Sequence, residues 1–489
     1  MTLRNTADTR LGYAVLPLAR AHPGESGIVP LADGRDAFAA RALLAAAAES
    51  TLDIQYYIWH GDMSGTLLFE ALHRAADRGV RVRLLLDDNN TAGLDSTLAA
   101  LDSHPNIEVR LFNPFVHRRW RYVDYITDFR RLNRRMHNKS MTADNQVTII
   151  GGRNVGDEYF DAGQAPLFVD LDVLAIGPVV NDVSSDFDRY WASASAYPAD
   201  RVLSTVAPAR IADLTTAASL VERDPAARAY LQALAQLPFV RDLLAGQLHL
   251  EWAVTHMVSD DPAKGLGAAT NGGLLWERLK RAIGTPASEL ELVSPYFVPG
   301  SGGVDAFAAM VRKGVQVSLL TNSLEATDVV AVHAGYAKRR KPLLEAGVRL
   351  FEMKREATGV VARNRAPTGS RGSGMTGSSS ASSLHAKTFS MDRSRIFIGS
   401  FNFDPRSAHL NTEMGFVIES PELAQRVVDA FARGIPERAY EVRLTNSGSL
   451  EWVEQRDGRE VVHTEEPGAT FWTRAMVAVL SALPIEWLL

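Results

Sequence analysis

The chain has no cysteine in its 489 residues. That excludes disulfides, thiol nucleophiles and cysteine-built zinc centres, and it leaves the redox state of the compartment open. No run of about 18–20 residues is apolar and free of charge, so an ordinary spanning helix is not expected. Residues 1–18 are too polar for a secretory signal. An excess of basic charge is missing as well. Net charge is −5 and the sequence pI about 6.2, which weighs against a dedicated nucleic-acid binder. What remains is an ordinary globular composition, 46% hydrophobic and 22% charged, long enough for two or three domains.

Within that ordinary chain one phrase occurs twice. The first copy is His137-Asn138-Lys139, with Asp144 and then Gly151-Gly152-Arg153-Asn154. The second is His385-Ala386-Lys387, with Asp392 and then Gly399-Ser400-Phe401-Asn402. In both, the aspartate follows the lysine by five residues, and the glycine and asparagine follow the histidine by fourteen and seventeen. A single His-x-Lys carries little weight. Two copies in register point to a duplicated unit that supplies two halves of one site.

The surroundings repeat too. An alanine-rich helical run over residues 36–50 precedes a β-branched and aromatic stretch at 52–59. A helical run at 64–78 stops at Gly79 before a strand-like 80–87. The later half gives helix 276–283, strand 289–298, helix 304–313 stopped by Gly314, and strand 315–321. Strands alternating with helices imply parallel β-α-β units and an α/β layered fold. Each motif reads as a hairpin, 137–142 with 147–150 and 384–391 with 395–398. Alternation along a strand would put each histidine and its lysine on one face. Asp144 and Asp392 complete the motifs but fall at the turns, where aspartate commonly bonds backbone amides.

These residue types suit phosphodiester chemistry. Lys139 and Lys387, with amides from Asn154 and Asn402, would neutralise the nonbridging oxygens. One neutral imidazole can attack phosphorus and a second, protonated, can release the leaving oxygen. His137 and His385 can hold those opposite states near neutral pH. Each needs a carboxylate to fix its tautomer. Glu413 is the candidate in the second half, and aligning Ser420-Pro421 with Gly177-Pro178 sets Asp170 opposite it, with Asp172 as the alternative. Gly152, Ser400 and Arg135 are expected to contact substrate. So are His333 and Tyr336, which form a polar cluster on a helix.

We expect a first domain over residues 1–205, bridging helices over 206–270, a second domain over 271–440, and a C-terminal hairpin with an apolar amphipathic tail over 441–489. A Gly/Ser/Arg-rich loop is expected at 358–383. Residues 117–135 hold seven arginines interleaved with Trp120, Tyr122, Tyr125 and Phe129. Such a segment suits anionic headgroups, and also single-stranded nucleic acid. The tail, with Phe471, Trp472, Val479 and Trp487, has the residues of a membrane-surface anchor.

The doubled motif with Gly-x-x-Asn resembles the phospholipase D superfamily over nearly the whole chain. Segments 52–59, 80–90, 125–129, 168–173 and 402–415 look like its cardiolipin synthase C-type branch. The resemblance implies two α/β/α layered domains face to face around one shared site. It implies a ping-pong reaction through a phosphohistidine with no metal or cofactor. It also implies a phosphatidyl group passed to phosphatidylglycerol, with phosphatidylethanolamine as donor and His137 as nucleophile. The expected partners are those phospholipids, not nucleic acid, and the expected location is peripheral on the bacterial inner membrane. The competing expectation is a plain phosphodiesterase, either a lipid hydrolase or a nuclease.

Overall fold

The repeat is built as two sheets whose strands follow the same order. In the first, Thr51–Ile58 pairs in parallel with Arg81–Asn90, and that strand with Ile107–Phe112. On the other edge of Thr51–Ile58 lies the motif hairpin, Ser140–Ala143 with Val147–Gly151, followed by Asp172–Ile176, all antiparallel. In the second, Glu289–Val293, Gln316–Asn322 and Arg349–Met353 are the parallel strands. Thr388–Met391, Arg395–Gly399 and Met414–Ile418 are their antiparallel companions. Among the described residues the two sheets have nine and ten strands. The computed structural model describes residues 5–162, 168–204, 211–244, 246–355, 383–456, 458–483 and 486–488.

Local chemistry sets the element ends. Asp33 and Asp62 accept backbone N–H groups at the starts of helices Gly34–Ala47 and Met63–Asp77. Gly79, at φ +95°, turns the chain into the next strand where a side chain would strain it. Helices Ile211–Arg223, Pro225–Ala235 and Pro238–Leu244 fill the expected bridging region. The chain changes sheets at Val254: Glu251–Ala253 edges the first sheet and Thr255–Ser259 the second. Strands Ala439–Leu444, Leu450–Arg456 and Arg459–His463 continue the second sheet. The expected terminal hairpin is therefore integral to that sheet, extending it from Arg349–Met353. No described helix is long and apolar enough to cross a membrane.

The two sheets meet through an apolar core of their own. Ile150, Val173 and Ala175 of the first pack with Ile396, Ile398, Met414, Phe416 and Ile418 of the second. Each large side chain buried there stabilises by about 1.5–3 kcal/mol. That core brings the two motifs together. It also explains where the strands depart from expectation. Residues 135–137 leave their sheet to pair with Thr412 of the other half: His137 N–H donates to Thr412 O at 2.9 Å and Thr412 N–H to Arg135 O at 2.9 Å. Symmetrically, Ser383–Leu384 pairs in parallel with Phe168–Val169, and His385 N–H donates to Val169 O at 2.8 Å. The regular motif strands thus begin only at Ser140 and Thr388. Apart from Ser383, the Gly/Ser-rich segment lies outside the described residues.

Candidate active site

Each histidine is held by a carboxylate from the opposite half. His137 Nδ1 lies 2.8 Å from Glu413 Oε2, and His385 Nδ1 lies 2.5 Å from Asp170 Oδ2. Glu413 and Asp170 are the residues expected in this role, but the pairing is crossed between halves. The crossing follows from the fold, since each histidine enters on a strand pair that spans both halves. Asp172, the alternative, is instead buried against the Arg41 guanidinium at 2.8 Å. Each carboxylate takes the Nδ1 side of its ring, which fixes the orientation of the imidazole. Tyr57 meets the His137 ring edge-on at 4.9 Å between centroids, and Tyr159 meets His385 at 5.3 Å. No motif marks either tyrosine; a place beside the carboxyl end of a parallel strand is the one sequence signal for Tyr57.

The two lysines lie in the same buried centre. Lys139 Nζ donates to its own histidine's carbonyl at 2.6 Å, and Lys387 Nζ donates to His385 O. Their fields reach across the halves. Burial pushes the Lys139 ammonium down to about 7, with Glu413 opposing and Lys387 adding to the effect. Burial and then Lys387 press His385 down to about 4, against the pull of Asp170. Burial and both lysines hold His137 well below its usual range. The carboxylates differ. Burial raises Glu413 to about 7. Asp170 is held below the usual range because His385 and Lys387 together outweigh its burial. One imidazole therefore faces an acid poised near neutrality and the other faces a fixed anion.

Neighbouring residues seat both carboxylates. A side chain at Gly152 would place its Cβ 2.1 Å from Asp170 Oδ1, so only glycine lets Asp170 approach. The matching position, Ser400, donates to Glu413 Oε2 at 2.5 Å, and Ser407 donates to Oε1 at 2.8 Å. Their backbone N–H groups are used in Gly152–Leu171 and Ser400–Met414 hydrogen bonds. Gly152 and Ser400 thus position carboxylates, where substrate contact was expected.

Other expected site residues lie elsewhere. Asp144 accepts from the N–H groups of Glu49, Ser50 and Thr51, at 3.0, 2.7 and 2.9 Å. Asp392 accepts from Ala287, Ser288 and Glu289, at 2.9, 2.7 and 3.1 Å. Both tie a hairpin turn to the start of a parallel strand, and backbone amides occupy the carboxylates of the two motif aspartates. Arg135 is buried against Asp87 at 2.7 Å, with its remaining donors on backbone carbonyls. His333 lies against Glu466 at 2.7 Å, and Tyr336 donates to Glu352 at 3.0 Å, inside a buried network with Arg340 and Trp452. These three groups hold protein together where headgroup contact was expected. Asn154 donates to the Tyr159 hydroxyl at 3.0 Å and accepts from Ile58 N–H at 3.2 Å, so it too positions a neighbour. Asn402 is buried with its side-chain oxygen lacking a partner among the described residues.

Two described clusters bring histidine and carboxylate groups within metal-ligand reach, His73-Asp77-His104 and His249-Glu251-Glu422. Neither contains a motif residue.

A family model described as cardiolipin synthase, PLD-like domain matches residues 42–191 and 279–435. Those two spans cover the parallel strands and the motif hairpin of each half. The chain is 54% identical to cardiolipin synthase C of Escherichia coli (strain K12) over 482 residues, 98% of this chain and 100% of that one. It is 31% identical over 427 residues to an uncharacterized protein of Helicobacter pylori (strain ATCC 700392 / 26695), covering 86% of this chain and 81% of that one. Among solved structures, phosphatidylserine synthase of Haemophilus influenzae Rd KW20 superposes with a TM-score of 0.59 at 13% identity, over 98% of this chain and 100% of that one, a likeness of fold. The chain belongs to the cardiolipin synthase PLD-like domain family of the phospholipase D superfamily.

Proposed function

We propose that this protein is a phosphatidyltransferase of the cardiolipin synthase type, acting by two displacements at one phosphorus. Two buried imidazoles, each oriented by a carboxylate from the other half and flanked by a buried lysine, carry this reading. His137 Nε2 attacks the phosphorus of a donor phospholipid. The bond to the donor's headgroup oxygen breaks, and that oxygen takes a proton from the His385 imidazolium. In the second step the acceptor hydroxyl gives its proton to His385 and attacks phosphorus, and the phosphorus–nitrogen bond breaks. Charge and proton balance are restored at each turn.

The two roles follow the two carboxylates. Asp170, a fixed anion, favours a protonated partner, which suits His385 as the acid. Glu413, poised near 7, tolerates a neutral imidazole, which suits His137 as the nucleophile. A phosphodiester anion seated between the lysines offsets their charge and raises both imidazoles. Lys139 and Lys387 then stabilise the charge that builds on the nonbridging oxygens, at about 3 kcal/mol for each preorganised donor.

The acceptor in this reading is phosphatidylglycerol and the donor is phosphatidylethanolamine, met by a protein attached peripherally to the bacterial inner membrane. The test is incubation with labelled phosphatidylglycerol, with and without phosphatidylethanolamine, beside a DNA oligonucleotide control. Labelled cardiolipin, made faster with phosphatidylethanolamine and unaffected by chelator, supports the reading. Phosphatidic acid without cardiolipin would make it a lipid hydrolase, and cut DNA without lipid turnover would make it a nuclease.

A further inference from the structure

We propose that residues 116–130 and helix Phe471–Ala482 form one docking face on the rim of the catalytic cleft, and that its occupant is the surface of an anionic phospholipid bilayer. This rests on the lipid reading above and specifies how the site meets its substrate.

The short helix Arg121–Thr127 inverts the normal pattern of burial. Its buried side chain is a carboxylate, Asp124, tied to His117 by the backbone N–H at 2.8 Å and by the ring. Its large exposed side chains are apolar and aromatic: Ile126 is 80% exposed, and Tyr122 and the preceding Trp120 are each 59% exposed. Exposed aromatic and aliphatic groups gathered in this way mark an interaction surface. Helix Phe471–Ala482 supplies a second stripe. Val477 packs inward with Leu324 and Ala334. On the other side Trp472, Met476, Val479 and Leu483 are exposed at helical spacing, Trp472 by 77% and Val479 by 64%.

The arm is fastened beside the site. Tyr125 donates to Asn89 at 2.6 Å, while Arg118 and Arg121 grip Asp88. Asp88 and Asn89 lie on strand Arg81–Asn90, paired with the strand whose Tyr57 touches His137. Arg406, four residues past Asn402, links the segments that flank the two patches: its guanidinium donates to Leu488 O at 3.1 Å, beyond helix Phe471–Ala482, and to Asn133 Oδ1 at 2.6 Å, just after the arm.

Charge selects the occupant. The chain is net negative, yet this arm is arginine-rich. Arg119 and Arg130 are exposed there with no carboxylate partner among the described residues. Tryptophan and tyrosine beside arginine is the composition of a protein side that sits in lipid headgroups. A second copy of the chain would present the same arginines to themselves.

The test uses the whole chain with Trp120→Ser/Ile126→Ser, with Trp472→Ser/Val479→Ser, and with both pairs changed. Binding is read by co-sedimentation with vesicles of phosphatidylcholine alone or mixed equally with phosphatidylglycerol. Turnover is read on the anionic vesicles with phosphatidylethanolamine added, and on short-chain phosphatidylglycerol and phosphatidylethanolamine below their micellar concentrations. Near-ultraviolet circular dichroism checks that each variant is folded. The expected result is preferential wild-type binding to the anionic vesicles, weakened by about tenfold or more in each double variant. Turnover on vesicles should fall in parallel, and turnover on monomeric lipid should stay within twofold. Wild-type binding unchanged in folded variants would overturn the docking face. So would a wild-type dimer that the substitutions dissociate. Lost vesicle binding with no cardiolipin from any form would keep the face and remove the enzymatic reading; cardiolipin made equally well by all forms on vesicles would do the reverse.

Discussion

Lys139 is a buried ammonium whose surroundings include a second buried ammonium, Lys387; in the proposed mechanism a phosphate offsets both. Its value in the fold, about 7, lies below the ordinary 10.5. Between those values the folded state binds fewer protons than the unfolded chain, so its contribution to stability rises with pH through that window. The full penalty is present below about 7. Lys139→Met should therefore raise the melting temperature by a few degrees at pH 6, with the gain fading toward pH 10, while activity falls about 10²-fold or more. A melting series across pH, paired with an activity assay, checks both. Glu413 makes the opposite change in the same range. As pH climbs through about 7 it ionises and strengthens its hold on His137 Nδ1–H, while Lys139 loses its charge. The kcat/KM profile should be bell-shaped around neutrality. Glu413→Gln should remove the acid limb, lower the maximum about 10²-fold and leave the alkaline limb. An acid limb that survives the substitution would assign it to another group.

At the scale of elements, the motif aspartates act as clamps on the hairpins. Asp144→Ala strips three backbone N–H groups of their acceptor at a buried turn and should cost about 1–3 kcal/mol in denaturant unfolding. Asp392→Ala, at a less buried turn, should cost less. Turnover per folded molecule should stay within about threefold in both, because neither carboxylate reaches an imidazole. The helix–strand order, Gly79 as a stop and the clamping turns were legible in the sequence because each rests on local periodicity or backbone preference. The start of the motif strands was not. Alternation predicts a strand from residue 137, whereas residues 135–137 are claimed by Thr412, more than 270 residues away in the chain. Carboxylate identity was readable from aligned downstream strands, but the crossed pairing was not, since nothing local says which half a side chain will face. The protein partners of Arg135, His333 and Tyr336 were hidden for the same reason. Each looks like an exposed polar group until its distant partner, Asp87, Glu466 or Glu352, is known.

At the scale of the molecule, the apolar core between the sheets and the crossed carboxylates make each half incomplete alone. A calorimetric scan should show one unfolding transition; two well-separated transitions would mean the halves are independent. In the proposed mechanism one phosphorus at a time is handled by both motifs, with His137 as the covalent partner. Rapid quenching with a phosphatidyl donor, followed by peptide mass spectrometry of the wild type, His137→Ala and His385→Ala, decides whether this is so. The expected result is at most one phosphatidyl group per chain, found on His137 in the wild type and in His385→Ala, and none in His137→Ala. Label on both histidines of one chain, or label that persists without His137, would contradict it.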